Sequence, residues 1–229
     1  MLRRTRRGMG AALVALGALG IGADGLAAQT TGLPLRMMPI RTGVELAGDL
    51  GLARLTEGTE EQKVTAFAGS AFAGIGPVGI GATLVRATRS DDGPDVTAFT
   101  GMFGVRVLGG PLVPLSITWQ GAVTVPLGTI DSVASGSSDR PWRGSLGLGA
   151  ALTIPFPVLA ITPWVGPRVD YFRRQPISGS RAKGAVAAGV DLGFLNGLVL
   201  RAAYDSRVGW EPADQAPAGV SFGVGYRFR

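Results

Sequence analysis

The feature that most constrains this chain is an alternation of apolar and polar side chains, held in many segments for ten residues or more. In the run from Leu115 to Val125, Leu115, Ile117, Trp119, Val123 and Val125 fall on one face, and Ser116, Thr118, Gln120 and Thr124 on the other. A period of two is the mark of a strand whose two faces meet different surroundings. The same pattern sets Leu146, Leu148, Ala150, Leu152 and Ile154 against Ser145, Gly147, Gly149, Ala151 and Thr153. Ten such segments stand near 42–54, 64–75, 78–89, 96–108, 115–125, 142–154, 160–172, 184–194, 198–207 and 219–228. Helical periodicity is almost absent after the first 28 residues.

Segment length narrows the choice of surroundings. A soluble strand runs about 5–6 residues, whereas a tilted strand crossing a bilayer needs about 9–11. The connections after odd-numbered segments are polar or charged, as in Thr56–Lys63 and Ser90–Asp95, and the longest is Pro126–Pro141. Those after even-numbered segments are short and uncharged: Gly76-Pro77, Gly109–Pro114, Pro155–Leu159 and Leu195-Asn196-Gly197. Long loops at one end and short turns at the other are the layout of a membrane barrel with both chain ends on the short-turn side. The expected fold is therefore all-β, a closed antiparallel transmembrane β-barrel of ten strands, with eight and twelve as neighbouring even counts. A soluble secreted β-sandwich would also use the alternation, burying one face against a second sheet, but strand length and loop order speak against it. Two aromatic groupings agree with the barrel: Trp142, Tyr171, Tyr204 and Trp210 near the long-loop end, and Phe156, Phe194, Tyr226 and Phe228 near the short-turn end. Aromatic rings favour the two membrane interfaces.

The N-terminus reads as an export signal. Four arginines among the first seven residues precede an apolar run to Ala23, and Leu26-Ala27-Ala28 supplies small residues before Gln29. That run is too short and too rich in glycine for a spanning helix, which needs about 20 apolar residues. The expected organisation is a signal peptide at 1–28, a short periplasmic lead at 29–41 and the barrel at 42–229. Removing the signal takes four arginines and one aspartate with it, so the net charge falls from +6 to +3. No basic run interleaved with aromatics follows, and nucleic acid is not an expected partner.

The export signal, the long alternation, the segment Ile161-Thr162-Pro163-Trp164-Val165-Gly166 and the final Gly223-Val224-Gly225-Tyr226-Arg227-Phe228 resemble the small outer-membrane β-barrel superfamily, which includes the membrane domain of outer-membrane protein A. The resemblance covers 42–229. It implies an outer-membrane location, contact with outer-membrane lipid and lipopolysaccharide, and delivery by the barrel-assembly machinery. In that family the last strand is the assembly signal, carried here by Val220, Phe222, Val224, Tyr226 and Phe228. The family usually ends on an aromatic residue, whereas here Phe228 is penultimate and Arg229 is last.

If the apolar face meets lipid, the other face lines the lumen. That face carries Glu45, Asp49, Arg106, Arg143, Arg168, Asp170, Asp191, Arg201, Asp205 and Arg227, five charges of each sign. Charges inside a narrow barrel must be paired or hydrated. They make either an interior ion-pair network or a charged constriction that selects solutes. Inward glycines such as Gly51, Gly79, Gly81, Gly147, Gly149, Gly189, Gly193, Gly223 and Gly225 leave room for a hydrated cavity. The first function to expect is a structural or surface-interaction role, and the second a small passive channel, with an unidentified extracellular ligand at the long loops in either case. Neither cysteine nor histidine occurs, which removes thiolate chemistry, disulfides and the commonest general base and metal ligand. No cofactor, metal or enzymatic activity is expected. Gly74-Ile75-Gly76-Pro77-Val78-Gly79 has dinucleotide-loop spacing, but a strand pattern follows where that motif needs a helix, so a turn is expected. Asp91, Asp92 and Asp95 could gather calcium, and Arg173, Arg174, Arg181 and Lys183 could meet lipopolysaccharide phosphates; a solvated surface is the plainer expectation for both.

Four local expectations follow. Phe67 and Phe72 share a face only if a bulge falls at Gly69-Ser70. Trp164 points inward if Val165 and Val169 face lipid. Pro163 and Pro167 make the seventh segment the weakest strand. The three-residue link Leu195-Asn196-Gly197 needs a positive φ at Gly197. It fixes a register with Leu192 opposite Leu200 and Asp191 opposite Arg201, predicting a lumen salt bridge between the last two.

Overall fold

The computed structural model describes residues 40, 42–57, 60–89, 95–110, 113–127, 142–173, 180–208 and 218–228. The predicted signal at 1–28 lies outside them, and of the lead only Ile40 is described.

The alternating segments form β1 (Gly43–Glu57), β2 (Glu60–Ile75), β3 (Val78–Arg89), β4 (Val96–Gly110), β5 (Val113–Leu127), β6 (Trp142–Leu152), β7 (Ile154–Pro155), β8 (Leu159–Arg173), β9 (Ser180–Phe194), β10 (Leu198–Val208) and β11 (Ala218–Phe228). β7 is a two-residue continuation of β6 past Thr153, and both pair with β8, so the eleven pieces make ten staves. Each stave pairs antiparallel with its sequence neighbours. The first and last close on each other through β1–β11, with Val44 opposite Phe228 and Arg54 opposite Ala218. No stave keeps an open edge, which is what lets a sheet sit in hydrocarbon where unpaired backbone groups are costly.

The two faces divide as the alternation demands. Val44, Leu46, Leu50 and Leu52 of β1, Leu146, Leu148 and Leu152 of β6, and Val220, Phe222 and Val224 of β11 are all exposed on the outer wall. An apolar surface running round a whole molecule is far more than a soluble monomer carries. The inward positions are small or polar and mostly buried: Ser70, Thr100, Thr118, Thr124, Ser145 and Ser221 among them.

Two local expectations change. β2 pairs with β1 and β3 without interruption. There is no bulge at Gly69-Ser70; Phe67 faces outward, exposed, and Phe72 faces inward, 7 % exposed. The irregularity falls in β4 instead, where the register with β5 shifts between Arg106 and Leu108, and both Val107 and Leu108 face outward. The seventh segment, β8, is regular over fifteen residues, with strict alternation from Thr162 to Arg173. Pro163 and Pro167 point outward, and Trp164 points inward.

At the short-turn end, Gly76 and Gly197 take positive φ of 59° and 93°, the conformation their tight turns require. Asn196 Oδ1 accepts the Leu198 amide at 3.1 Å. This sets the predicted register, with Leu192 opposite Leu200 and Asp191 opposite Arg201.

Candidate functional site: the barrel lumen

The lumen is built by pairing large inward side chains with glycines on the next stave. Phe72 stands opposite Gly81, Asp49 opposite Gly223, Arg168 opposite Gly147 and Trp164 opposite Gly189. A Cβ added at any of these glycines would fall within 2.0–2.7 Å of the side chain facing it. The expectation that inward glycine leaves a hydrated space is corrected at these four positions. The space is taken by the partner residue, because in a narrow barrel neighbouring staves bring paired side chains to about 4.5–5.5 Å.

All ten charges expected inside do lie on inward positions, and two clusters gather most of them. Near the short-turn end Glu45 accepts from Arg201 Nη2 and, at 2.6 Å, from Arg227 Nη2. Arg201 Nε lies 3.9 Å from Asp191 Oδ1, an ion pair without a hydrogen bond, and Asp191 Oδ1 accepts from Trp164 Nε1 at 3.3 Å. The predicted Asp191–Arg201 pair is thus present, but it is the looser of the two contacts Arg201 makes. Glu45 was not expected as its partner because it comes from β1, across the intervening β11. Asp49 is buried over Gly223.

Toward the long-loop end Arg168 donates Nε to Asp170 Oδ1 at 3.0 Å and Nη2 to Asp205 Oδ2 at 2.7 Å. Ser145 Oγ donates to Asp170 Oδ1 at 2.6 Å. Asp170 is fully buried and Arg143 is 3 % exposed. Arg106 has another task. It donates to the backbone carbonyls of Ile40 at 3.1 Å and Gly76 at 3.2 Å, and among the described residues it joins neither cluster.

Apolar and hydroxyl contacts fill the remaining levels. At the short-turn mouth Ile40 and Phe72 pack together with Met102. Trp164 packs with Ala151, Ala187 and Ala203. Hydroxyls pair across staves at Thr100–Thr124, 2.9 Å, and Ser70–Thr83, 3.0 Å. Phe72 and Ile40 escaped the sequence reading, as did the hydrogen bond from the inward Ser145 to Asp170. The usable signal for Phe72 was its position opposite an inward glycine, which appears once the β2–β3 hairpin register is drawn.

On the outer wall Trp142 and Tyr171 lie 5.5 Å apart, centroid to centroid, at the long-loop end, with Tyr204 exposed on the same side. Tyr226 and Phe228 meet edge to face at 4.9 Å at the other end, where Phe194 is half-buried and Phe156 exposed. A further pair, Phe103 and Trp119 at 5.3 Å, has the Phe103 ring over Gly121. Trp210, Asp91, Asp92 and Arg174 lie outside the described residues. Asp95 is engaged by Arg86 at 2.6 Å, and no cluster of three metal-ligating residues occurs among the described residues.

A lipid-facing apolar band, a charged lumen and a wall without edges decide the class. The fold is that of an outer-membrane β-barrel. The chain resembles the β domain of the Bordetella autotransporter BrkA at 15 % identity and a TM-score of 0.53, over 82 % of this chain and all of that one. It also aligns with the transport unit of Escherichia coli AIDA-I, at 9 % identity and a TM-score of 0.46 over 92 % of this chain and 98 % of that one. The translocator domain of Neisseria meningitidis NalP gives 16 % identity and 0.44 over 96 % and 98 %. No protein-family model and no curated protein sequence matches the chain. The barrel's place is the outer membrane, where its lipid-facing band meets a hydrocarbon core.

Proposed function

We propose that this barrel is a closed, non-enzymatic outer-membrane scaffold with a structural or surface-interaction role, its ion-paired lumen keeping it shut to solutes. The observation that carries this reading is the lumen itself, where five arginines and five acids are largely buried and most are drawn into two clusters, with Trp164 and Phe72 lodged over glycines between and below them. A conducting pore needs a continuous water path with charges that meet passing solutes. Here Arg168, Arg201 and Arg227 direct donors to Glu45, Asp170 and Asp205 instead. The absence of histidine and cysteine leaves no ordinary activated nucleophile in this site.

On this reading the long loops present the surface that meets an extracellular ligand, and the exposed Arg173 at their base meets lipopolysaccharide, whereas Lys183 stands on the inward side opposite Asp170. The last stave, with Phe222, Val224, Tyr226 and Phe228 outward, is the segment the barrel-assembly machinery would recognise. The N-terminal 28 residues are the export signal removed on the way. Liposome swelling tests the closed lumen: vesicles carrying the purified barrel should swell in small sugars no faster than empty vesicles. Swelling that depends on solute size would favour the passive channel.

A further inference from the structure

Two gaps at prolines interrupt the seam between β8 and the stave formed by β6 and β7, while the β4–β5 ladder is interrupted at its register shifts, where it skips Pro114. β6 and β7 pair with β8 in a single register, from Trp142 opposite Arg173 to Pro155 opposite Ala160. Within that register four pairs are missing: 148 with 167, 149 with 166, 152 with 163, and 153 with 162. The two gaps fall at Pro167 and Pro163. A proline has no N–H, so β8 can donate nothing to the carbonyls of Leu148 and Leu152, and each lost donor removes the bridge on either side of it.

The two gaps differ on the lumen side. Across the lower one the hydroxyls of Thr153 and Thr162 meet at 3.3 Å, a side-chain link where the backbone link is lost. The Thr153 amide points to the other neighbour and continues the β5–β6 register, donating to the Pro114 carbonyl at 2.8 Å. Across the upper gap stand Gly149 and Gly166, with no side chains to join them. The chain-end seam shows the contrast, since β1 and β11 pair over eleven consecutive residues without interruption.

We propose that the β6–β8 seam is a built-in weak line for lateral opening of this barrel, and that the wall parts there before it parts between its first and last staves. Inside a bilayer the alternatives to a ladder hydrogen bond are few, so strands holding two fewer such bonds separate first. Pro163 and Pro167 face lipid, so they set this weakness without altering the lumen clusters.

Amide hydrogen exchange of the full refolded barrel in detergent micelles tests this. The β6 amides that point at β8 between 148 and 152 should exchange about tenfold or more faster than the β1 amides that point at β11 between 46 and 50. Replacing both prolines (Pro163→Ala with Pro167→Ala) returns both donors on the lipid face and should slow that exchange toward the β1–β11 rate. The outward control Val165→Ala, which adds no donor, should leave it unchanged. Equal protection of the two seams in the parent protein would overturn the proposal, as would unchanged exchange in a folded double variant.

Discussion

Glu45 holds two arginines at once, whereas Asp191 shares one of them at longer range. That difference orders the cost of removing each acid. Stranding a buried charge costs about 3–5 kcal/mol, so Glu45→Ala should destabilise the barrel by about 3 kcal/mol in denaturant unfolding from micelles or bilayers. Asp191→Ala should cost about 1 kcal/mol, the worth of one modest hydrogen bond. The reverse order would mean that register proximity, not contact distance, governs the lumen. Glycines give a second comparison. A Cβ at Gly189 would meet the Trp164 ring at 2.5 Å and the Ala202 carbonyl at 2.6 Å, while Gly69 has nothing within 4 Å. Gly189→Ala should therefore cost about 1–3 kcal/mol through overpacking, and Gly69→Ala should be close to neutral by the same unfolding measurement. Outside the membrane, the Arg86 hydrogen bond holds the Asp95 carboxyl below its ordinary value. The pairing is in place above that ordinary value and is lost as pH falls through the depressed one. An NMR titration should place Asp95 low, and Arg86→Ala should raise it.

At the scale of the strand, the lipid face and the lumen face impose separate demands, and β11 shows both. Its outward Val220, Phe222, Val224, Tyr226 and Phe228 face hydrocarbon, while Arg227 reaches inward to Glu45. Phe228→Ala, or deletion of Phe228 and Arg229, should lower membrane insertion more than Arg229→Ala does, read as the folded fraction in isolated outer membranes; equal insertion of the three would remove the last stave from the proposed assembly signal. Strand positions and faces were legible in the sequence because period two reports surroundings directly. The Leu195–Gly197 link even fixed which residues of β9 and β10 stand opposite. What could not be read was pairing beyond one hairpin. Glu45 finds Arg201 across a third stave, and Phe72 parts from Phe67 to fill the space over Gly81 on β3. Pro163 and Pro167 made β8 look weak, yet alternation held, since an outward proline deletes one donor and leaves the side-chain pattern intact.

At the scale of the whole molecule, ten staves close with apolar residues outside and balanced charge within, which makes the outer membrane the medium in which the fold is stable. Heating should change the mobility of the detergent-solubilised barrel on a gel, because a closed sheet resists detergent until its ladders melt; recovery as a soluble periplasmic protein without detergent would contradict the apolar wall. Ten charges in one narrow lumen can act as a lock or as a selectivity ring, and composition alone does not separate the two. The tight Glu45 and Arg168 contacts, and the aromatic rings seated on glycines, argue for the lock. Single-channel recording of the refolded barrel in planar bilayers tests that claim most directly. A locked lumen predicts insertion, verified by protease protection, without discrete current steps above the bilayer baseline. Stable, reproducible openings of uniform size in the parent protein would contradict it.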